Sequence, residues 1–237
     1  MKNTEQVRLD TIALDPRYAE GPNEYMVEYS FEVFQRHLKN GSTLEMGPAE
    51  GIMTRHLVNA GFDLTVVEAS GRFCDDLKAR HPDILVVKSL FESFAPARKF
   101  TNIILGHVLE HVEDPVAILA RAKDWLADDG RILAAVPNSR SLHRQAGVLL
   151  GQLPIECALN DADLRHGHRR VYNPESFRHE FIAAGLAIEV SGGYWLKPVS
   201  NAQIQDNWTR EMVTAFMKLG ERYPDIAAEI YIIAGKR

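Results

Sequence analysis

The chain has 237 residues, of which 25% are charged and 46% are hydrophobic, and its formal net charge is −5. This ordinary globular composition excludes a disordered, collagen-like or coiled-coil chain, and the length suits one α/β domain. Because the chain has no basic excess, binding to a nucleic acid backbone is not expected as its main activity.

The cysteine content and the N-terminus bear on the compartment. Two cysteines cannot form a disulfide framework, and they indicate a reducing environment. The first ten residues are polar and mixed in charge, without the apolar core of a secretion signal. No stretch approaches the 18 apolar residues that a membrane-spanning helix needs. We therefore expect a cytoplasmic protein that does not span a membrane.

Strand patterns alternate with helical patterns after an amphipathic helix predicted over residues 24–38. Apolar runs such as ILVV and NIIL are typical of strands buried on both faces of a parallel sheet. The predicted strands cover 43–46, 64–67, 84–87, 102–105 and 131–136, and the helices between them cover 53–60, 71–80 and 116–126. This alternation predicts a doubly wound sheet.

Capping signals mark the ends of several helices. Asp114 and Asn173 each precede a proline, which suits a helix N-cap followed by its first residue. Gly185 suits the end of a helix predicted over residues 175–184. Residues 128–130, Asp-Asp-Gly, are expected to end a helix before the fifth strand.

The last part of the chain contains two segments rich in strand-forming residues, 187–195 and 228–234. Apolar residues at helical spacing lie between them and predict one helix that packs on the sheet. This apolar stripe consists of Ile204, Trp208, Met212, Phe216 and Leu219.

A loop of small residues follows the first strand in the sequence EMGPAEG, which begins at Glu45. Gly47, Ala49 and Gly51 permit a tight turn and the close approach of a ligand, and the next helix offers free N–H groups. The second strand ends at Glu68, twenty-one residues after Gly47, where a carboxylate can accept both hydroxyls of a ribose. This order of elements predicts a nucleoside cofactor.

The spacing of this loop departs from the dinucleotide fingerprint G-x-G-x-x-G, and Glu50 stands where a pyrophosphate would bind. A carboxylate repels an anion and tolerates a cation. The loop therefore favours S-adenosylmethionine, which carries sulfonium and ammonium groups, over NAD.

The pattern Glu45-x-Gly47-x-Ala49-x-Gly51 resembles the E-x-G-x-G-x-G signature of class I S-adenosylmethionine-dependent methyltransferases, with alanine in place of the middle glycine. The segments FTNIILGHVLEHVEDP and LADDGRILAAVPN are similar to the fourth and fifth strands of that family with their flanking turns. The resemblance covers about residues 40–140, and the strand at the chain's end resembles the family's reversed last strand.

The resemblance implies a Rossmann-like methyltransferase fold, which is an α/β, doubly wound, mostly parallel seven-stranded sheet with a reversed last strand. We expect a single domain over residues 1–237 with a helical cap over residues 1–40. An insertion over residues 138–172, after the fifth strand, is expected to act as a substrate lid.

The resemblance also implies cofactor contacts beyond the loop residues Glu45 to Gly51. Glu68 is expected to bind the ribose, and Ser89 and Leu90 to meet the adenine ring. Gly106 and His107, after the fourth strand, are expected beside the methionine part of S-adenosylmethionine.

Histidines are the candidates for a catalytic base, because an acceptor hydroxyl usually needs one near neutral pH, whereas an amine needs only its neutral form. His107 and His168 are preferred, and His111 is a third candidate with a packing role as its alternative. A metal alternative pairs His107 with His111 and His166 with His168. Because a third protein ligand cannot be assigned, we expect no metal.

The insertion carries five arginines against three acids, a balance of 5 − 3 = +2. Arg169 and Arg170 are expected to bind a carboxylate or phosphate on the acceptor, with a solvated lid edge as the alternative. Tyr172 and Trp195 are further candidate contacts, and core packing is the alternative for Trp195.

The sequence therefore predicts methyl transfer to a small molecule, such as a hydroxyl of a sugar or natural product. The alternatives are an NAD-dependent oxidoreductase, a cofactor-binding protein without catalysis, and methylation of RNA or protein.

Overall fold

The computed structural model describes Arg8 and residues 20–237, so part of the predicted cap over residues 1–40 lies outside the described residues. The described part of the cap contains the helix α1 (Pro22–Gln35), which has proline at its first position and buries Tyr29, Val33 and Phe34. No helix of the described residues is long and apolar enough to cross a membrane.

Strands and helices alternate along the rest of the chain. The strands are β1 (Ser42–Met46), β2 (Asp63–Glu68), β3 (Leu85–Lys88), β4 (Phe100–Gly106), β5 (Leu126–Pro137), β6 (Leu186–Tyr194) and β7 (Glu229–Lys236). The helices after α1 are α2 (Ile52–Asn59), α3 (Gly71–Arg80), α4 (Pro115–Trp125), α5 (Leu142–Leu149), α6 (Asp161–Arg165), α7 (Pro174–Ala183), α8 (Asn201–Asn207) and α9 (Arg210–Gly220).

The seven strands form one sheet in the order β3-β2-β1-β4-β5-β7-β6. Neighbours from β3 to β5 pair in parallel, whereas β7 pairs antiparallel with both β5 and β6. The predicted doubly wound sheet with a reversed last strand is confirmed. The strand order changes direction between β1 and β4, which is where open α/β sheets bind ligands at their carboxyl edge.

The sheet separates two apolar layers because successive strand residues face opposite sides. On β4, Ile103 and Leu105 belong to the layer that contains Phe177 of α7, whereas Ile104 belongs to the layer that contains Phe34 of α1. Helices therefore cover both faces, which explains why the central strands are almost continuously apolar.

The capping signals are confirmed. Asp114 Oδ1 accepts a hydrogen bond from the Ala117 amide at 2.9 Å, and Asn173 Oδ1 accepts one from the Ser176 amide at 2.8 Å. Gly185 follows α7 with a positive φ of 73°.

Two sequence predictions about element boundaries are wrong. Residues 128–130 do not end a helix, because α4 ends at Trp125 and Leu126 already pairs with Phe100 of β4, so these residues lie within β5. The apolar stripe after residue 200 is two helices, α8 and α9. Thr209 accepts a hydrogen bond from the Met212 amide and begins α9, so the chain turns there and leaves Met212 43% exposed.

Gly220 at the end of α9 allows the helix to contact the backbone after β6. A Cβ at this position would lie 2.6 Å from the carbonyl carbon of Tyr194, and backbone cannot move aside easily. We expect Gly220→Ala to lower the free energy of unfolding by about 1–3 kcal/mol. Gly147→Ala in α5 is the matched control, because its Cβ would make ordinary contact with Leu153 at 3.5 Å and remove glycine's helix cost of about 1 kcal/mol. Urea unfolding of both variants measures the difference, and equal stabilities would contradict it.

Candidate cofactor and acceptor site

A cavity opens at the carboxyl edge of the sheet, over the point where the strand order changes direction between β1 and β4. Its walls come from α1 and from the segments after β1, β2, β3 and β4, with one residue from the insertion. Lining residues include Val27, Ser30, Glu45, Gly47, Ala49, Glu50, Gly51, Glu68, Ser70, Leu90, Phe91, Glu92, Gly106, His107, His111, Val112, Glu113 and His166.

The loop after β1 depends on left-handed backbone at Gly47, Ala49 and Gly51, whose φ angles are 66°, 48° and 79°. A Cβ at Gly51 would lie 2.5 Å from Leu77 Cδ2, so both its conformation and its neighbour require glycine. Ala49 has the same type of conformation with a Cβ, at a cost of about 1–2 kcal/mol. Ala49 therefore adopts the left-handed conformation that a glycine would adopt readily at this position of the loop.

Glu45 at the end of β1 is buried with its carboxylate against α2. The Thr54 hydroxyl donates a hydrogen bond to Glu45 Oε2 at 2.7 Å. Burial raises the pKa of Glu45 to about 8, against the opposing effect of this hydrogen bond. A carboxyl group held this way becomes easier to ionise when a cation enters the cavity.

Glu68 at the end of β2 is the second buried acid. The Ser70 amide donates to Glu68 Oε1 at 2.7 Å. Burial raises the pKa of Glu68 to about 7, although hydrogen bonds from the backbone of Ser70, Ala49 and Ala69 lower it. These two acids and Glu50 give the cofactor end of the cavity a chemistry that suits a cationic nucleoside.

The wall after β3 differs from the sequence prediction. Leu90, Phe91 and Glu92 line the cavity, whereas Ser89 does not line it and donates its hydroxyl to the Leu90 carbonyl at 2.8 Å. The sequence prediction missed Phe91 and Glu92 because they lie beyond the end of the predicted third strand. Glu92 follows the last residue of β3 by four positions and belongs to a 3-10 turn (Phe91–Ser93).

His107, directly after β4, has a positive φ of 57° and lines the cavity. Its Nδ1 lies 3.6 Å from Glu110 Oε1 and 3.7 Å from Glu229 Oε2. Burial opposes protonation of this ring, but the two carboxylates outweigh it and raise the pKa of His107. Its Nε2 is buried without a hydrogen-bond partner among the described residues. A side chain held at one nitrogen and unsatisfied at the other suits exchange of a proton with a ligand.

His111 and His168 lie together where the loop after β4 meets the insertion. Their rings pack edge to face with centroids 4.8 Å apart. His111 lines the cavity, and burial lowers its pKa to about 4. His168 does not line the cavity, and its Nδ1 lies 3.3 Å from Asp163 Oδ1. The described structure thus brings His107 and His111 to the cavity and leaves His168 behind His111.

The predicted acceptor contacts have other partners. Arg169 Nε donates to the His111 carbonyl and Arg170 Nη2 donates to the Glu113 carbonyl, both at 2.9 Å. Tyr172 is buried and donates to the Leu109 carbonyl at 3.3 Å. Trp195 is 1% exposed and belongs to the apolar layer under α1. Neither Tyr172 nor Trp195 lines the cavity.

Two buried acids near His107 were not expected from the sequence. Glu110 is fully buried in the loop after β4. Glu229 begins β7 opposite Pro137, and burial raises its pKa to about 7. The sequence contained a signal for Glu229, because a reversed strand places its first residue beside the carboxyl end of the strand that it pairs with, here Pro137 of β5.

The fold and this cavity define an α/β enzyme class that binds a nucleoside cofactor at the switch point of the sheet. The sequence matches the family described as "Methyltransferase domain" over residues 19–190. The chain belongs to this family. The predicted class I S-adenosylmethionine-dependent methyltransferase and its cofactor are confirmed.

Relatives agree with this class. An uncharacterised methyltransferase of Alkaliphilus oremlandii is 30% identical over 99 residues, which cover 41% of this chain and 46% of that protein. The match therefore spans less than half of the relative's own length.

Three solved structures share the fold. A possible histamine N-methyltransferase of Thermotoga maritima has a TM-score of 0.64 at 16% identity, with 93% of both chains covered. The CcbJ methyltransferase of Streptomyces caelestis has a TM-score of 0.63 at 14% identity, with 99% of both covered. The N-methyltransferase NodS of Bradyrhizobium japonicum, solved with S-adenosyl-L-homocysteine, has a TM-score of 0.61 at 13% identity, with 98% of both covered.

The raised pKa of Glu45 predicts how stability depends on pH. Its folded-state pKa of about 8 exceeds the ordinary 4.5, so the folded protein retains a proton that the unfolded chain loses. The resulting stability is present below about pH 4.5 and is lost as pH rises toward 8. Glu45→Gln mimics the protonated side chain. We expect the free energy of unfolding of the ligand-free wild type to fall relative to that of Glu45→Gln by about 2–4 kcal/mol as pH rises from 5 to 8.

The measurement is urea unfolding at both pH values, with Glu189→Gln as the control on the exposed surface of β6. The same pH dependence in the wild type and Glu45→Gln would contradict the prediction.

Proposed function

We propose that the chain transfers the methyl group of S-adenosylmethionine to a hydroxyl of a small molecule, such as a sugar or natural product. The observation that carries this proposal is His107, a buried imidazole with an unsatisfied Nε2 in the same cavity as the acids after β1 and β2. Cofactor-binding groups and a candidate base thus share one space.

The residues of the cavity fit the cofactor. We assign Glu68 to the ribose hydroxyls, because its carboxylate lies at the end of β2 within the cavity. Leu90 and Phe91 would meet the adenine ring. Glu45 and Gly47 would hold the methionine end through charge and close backbone approach, with Gly106 beside it. When bound, S-adenosylmethionine supplies a methyl group made electrophilic by the sulfonium.

His107 is proposed as the general base. Its Nε2 would accept the proton of the acceptor hydroxyl as the oxygen becomes methylated, a contribution of about 10²- to 10⁴-fold in rate. Its Nδ1 faces Glu110 and Glu229, whose negative charge stabilises the imidazolium that forms. His111, with a pKa lowered to about 4, is neutral at physiological pH, and His168 faces Asp163; both stay secondary candidates.

The acceptor end of the cavity is formed by the loop after β4 and by the insertion. His166 is the residue of the insertion that lines the cavity, and Glu113 lines it beside the half-buried Arg170. We propose that the insertion covers the acceptor, and that an anionic group of the acceptor is held near Arg169 and Arg170.

Amine methylation is the second candidate. Several of the similar solved structures are named as N-methyltransferases, among them NodS and the glycopeptide enzyme MtfA. A neutral amine attacks without a base, so the two candidates differ in what they require of His107. A protein that binds the cofactor without catalysis would form no methylated product, and RNA methylation would show a steep salt dependence of RNA binding.

Removing the charge of Glu68 tests the cofactor assignment. We expect Glu68→Gln to weaken S-adenosylhomocysteine binding by about 10- to 100-fold, since hydrogen bonds to charged groups contribute about 1.5–3 kcal/mol. Because the pKa of Glu68 is about 7, the wild type should bind more tightly at pH 8 than at pH 6, and Glu68→Gln should lose this component. Titration calorimetry measures both effects, with Glu189→Gln as the control. Unchanged affinity in Glu68→Gln would refute the assignment.

His107→Asn separates the two candidate acceptors. Asparagine tolerates the positive φ of this position and cannot act as a base. With a hydroxyl acceptor we expect kcat to fall by about 10²- to 10⁴-fold, while the affinity for S-adenosylhomocysteine changes much less. Formation of S-adenosylhomocysteine on panels of hydroxyl and amine acceptors is the measurement. Wild-type turnover of a hydroxyl acceptor by His107→Asn would rule out His107 as the base.

A further inference from the structure

Three side chains with metal-binding atoms meet between the loop after β4 and the insertion. Glu110, His111 and His168 each bring one such atom to within 4.8 Å of the others. One carboxylate oxygen and two imidazole nitrogens form a donor set typical of zinc and other divalent first-row transition ions, and unlike the all-oxygen sites of Mg²⁺ and Ca²⁺.

The carboxylate of Glu110 gives independent support for a ligand at this place. Glu110 is 0% exposed, and neither of its carboxylate oxygens has a hydrogen-bond partner among the described residues. The nearest basic atoms are His107 Nδ1 at 3.6 Å and His111 Nε2 at 4.0 Å. The imidazole rings thus lie close to this buried carboxylate without a hydrogen bond of good geometry, and a bound cation would give the carboxylate a direct partner.

Both imidazoles have an acceptor group beside them of the kind that orients metal ligands. His168 Nδ1 lies 3.3 Å from Asp163 Oδ1, and Asp163 Oδ2 accepts a hydrogen bond from Arg144 Nη1 at 3.1 Å. The ring of His111 interacts with the backbone of Gly167 through a hydrogen bond. Carboxylates and backbone carbonyls in these positions fix the ring orientation of metal-binding histidines.

We propose that Glu110, His111 and His168 bind one divalent transition metal ion, with Zn²⁺ as the probe. Zinc bonds of about 2.0–2.2 Å require the three side chains to approach by roughly 1 Å. Because His111 lines the cavity, the bound ion would keep an open position toward the acceptor end, where an acceptor oxygen can coordinate and lose its proton more readily. Metal binding itself depends neither on the acceptor nor on methyl transfer.

The decisive experiment is a Zn²⁺ titration of the untagged, chelator-treated full chain by calorimetry at pH 7.5. Cys157 is exposed and is replaced by serine in all samples, so that its thiol does not bind the ion. We expect one equivalent to bind. Glu110→Gln and His168→Ala should each weaken the affinity at least 100-fold, whereas His179→Ala, at an exposed position of α7, should leave it unchanged.

Asp163→Asn tests the positioning role of the outer carboxylate, for which we expect a 10- to 100-fold loss of Zn²⁺ affinity. Circular dichroism and the thermal midpoint without metal establish that each variant is folded. If any variant is unfolded, the absorption spectrum of Co²⁺ bound to the wild type, and its loss when Zn²⁺ displaces Co²⁺, still report whether one ion is bound in the tetrahedral nitrogen and oxygen environment that this site requires. Failure of the folded wild type to bind Zn²⁺, or Zn²⁺ affinity as high as that of the wild type in Glu110→Gln and His168→Ala, would overturn the proposal.

Discussion

The burial of carboxyl groups at the carboxyl edge of the sheet is the constraint on which this site depends. Glu45, Glu68, Glu110 and Glu229 are each at most 8% exposed, and each begins, ends or follows a strand of the sheet. Removing a carboxylate from water costs several kcal/mol unless partners compensate. The groups that compensate for the lost hydration differ from one carboxyl group to the next, and these differences give the cavity two chemically distinct ends.

At the cofactor end the cost is met by protonation and by backbone donors. Burial raises the pKa of Glu45 to about 8 and that of Glu68 to about 7, so part of the charge is withheld in the ligand-free protein. A cationic ligand reverses this effect because it favours the ionised forms. At the other end His107 Nδ1 lies 3.6 Å from Glu110 and 3.7 Å from Glu229, so these two acids have a basic partner within the chain.

The sequence predicted the parts that depend on local chemistry. Alternating strands and helices, the small-residue loop at Gly47 and Gly51, and the acid at Glu68 follow from propensity, backbone freedom and spacing, which neighbouring residues determine. The end of one helix and the start of the next at Thr209 were missed because the apolar stripe continues through this position. The weaker signal was the threonine hydroxyl, which caps the N-terminus of α9. The family resemblance implied that Ser89 meets the adenine ring, but its hydroxyl donates to the Leu90 carbonyl instead.

The acceptor side was less predictable because distant segments build it. Which histidine lines the cavity depends on how residues 138–172 pack on the loop after β4, and a single sequence does not contain that packing. Tyr172 shows the difficulty. In the sequence, an aromatic residue beside two arginines suits a ligand contact as well as it suits the core, and only the structure shows that its hydroxyl donates to the Leu109 carbonyl. The sequence left a third metal ligand unassigned for the same reason, as Glu110 and His168 are 58 residues apart.

Arginines connect these distant segments and set the geometry of the acceptor end. Arg8 and Arg169 both donate to the His111 carbonyl, and Arg8 also donates to the Gly167 carbonyl, so one guanidinium bridges the loop and the insertion. Part of the positive charge of the insertion, carried by Arg169 and Arg170, is therefore directed at backbone carbonyls. A guanidinium that donates to several backbone carbonyls fixes the position of the insertion relative to His111 through directional hydrogen bonds. The charge that suggested an anionic acceptor therefore has a structural use as well, and it holds His111 and His168 within reach of one another.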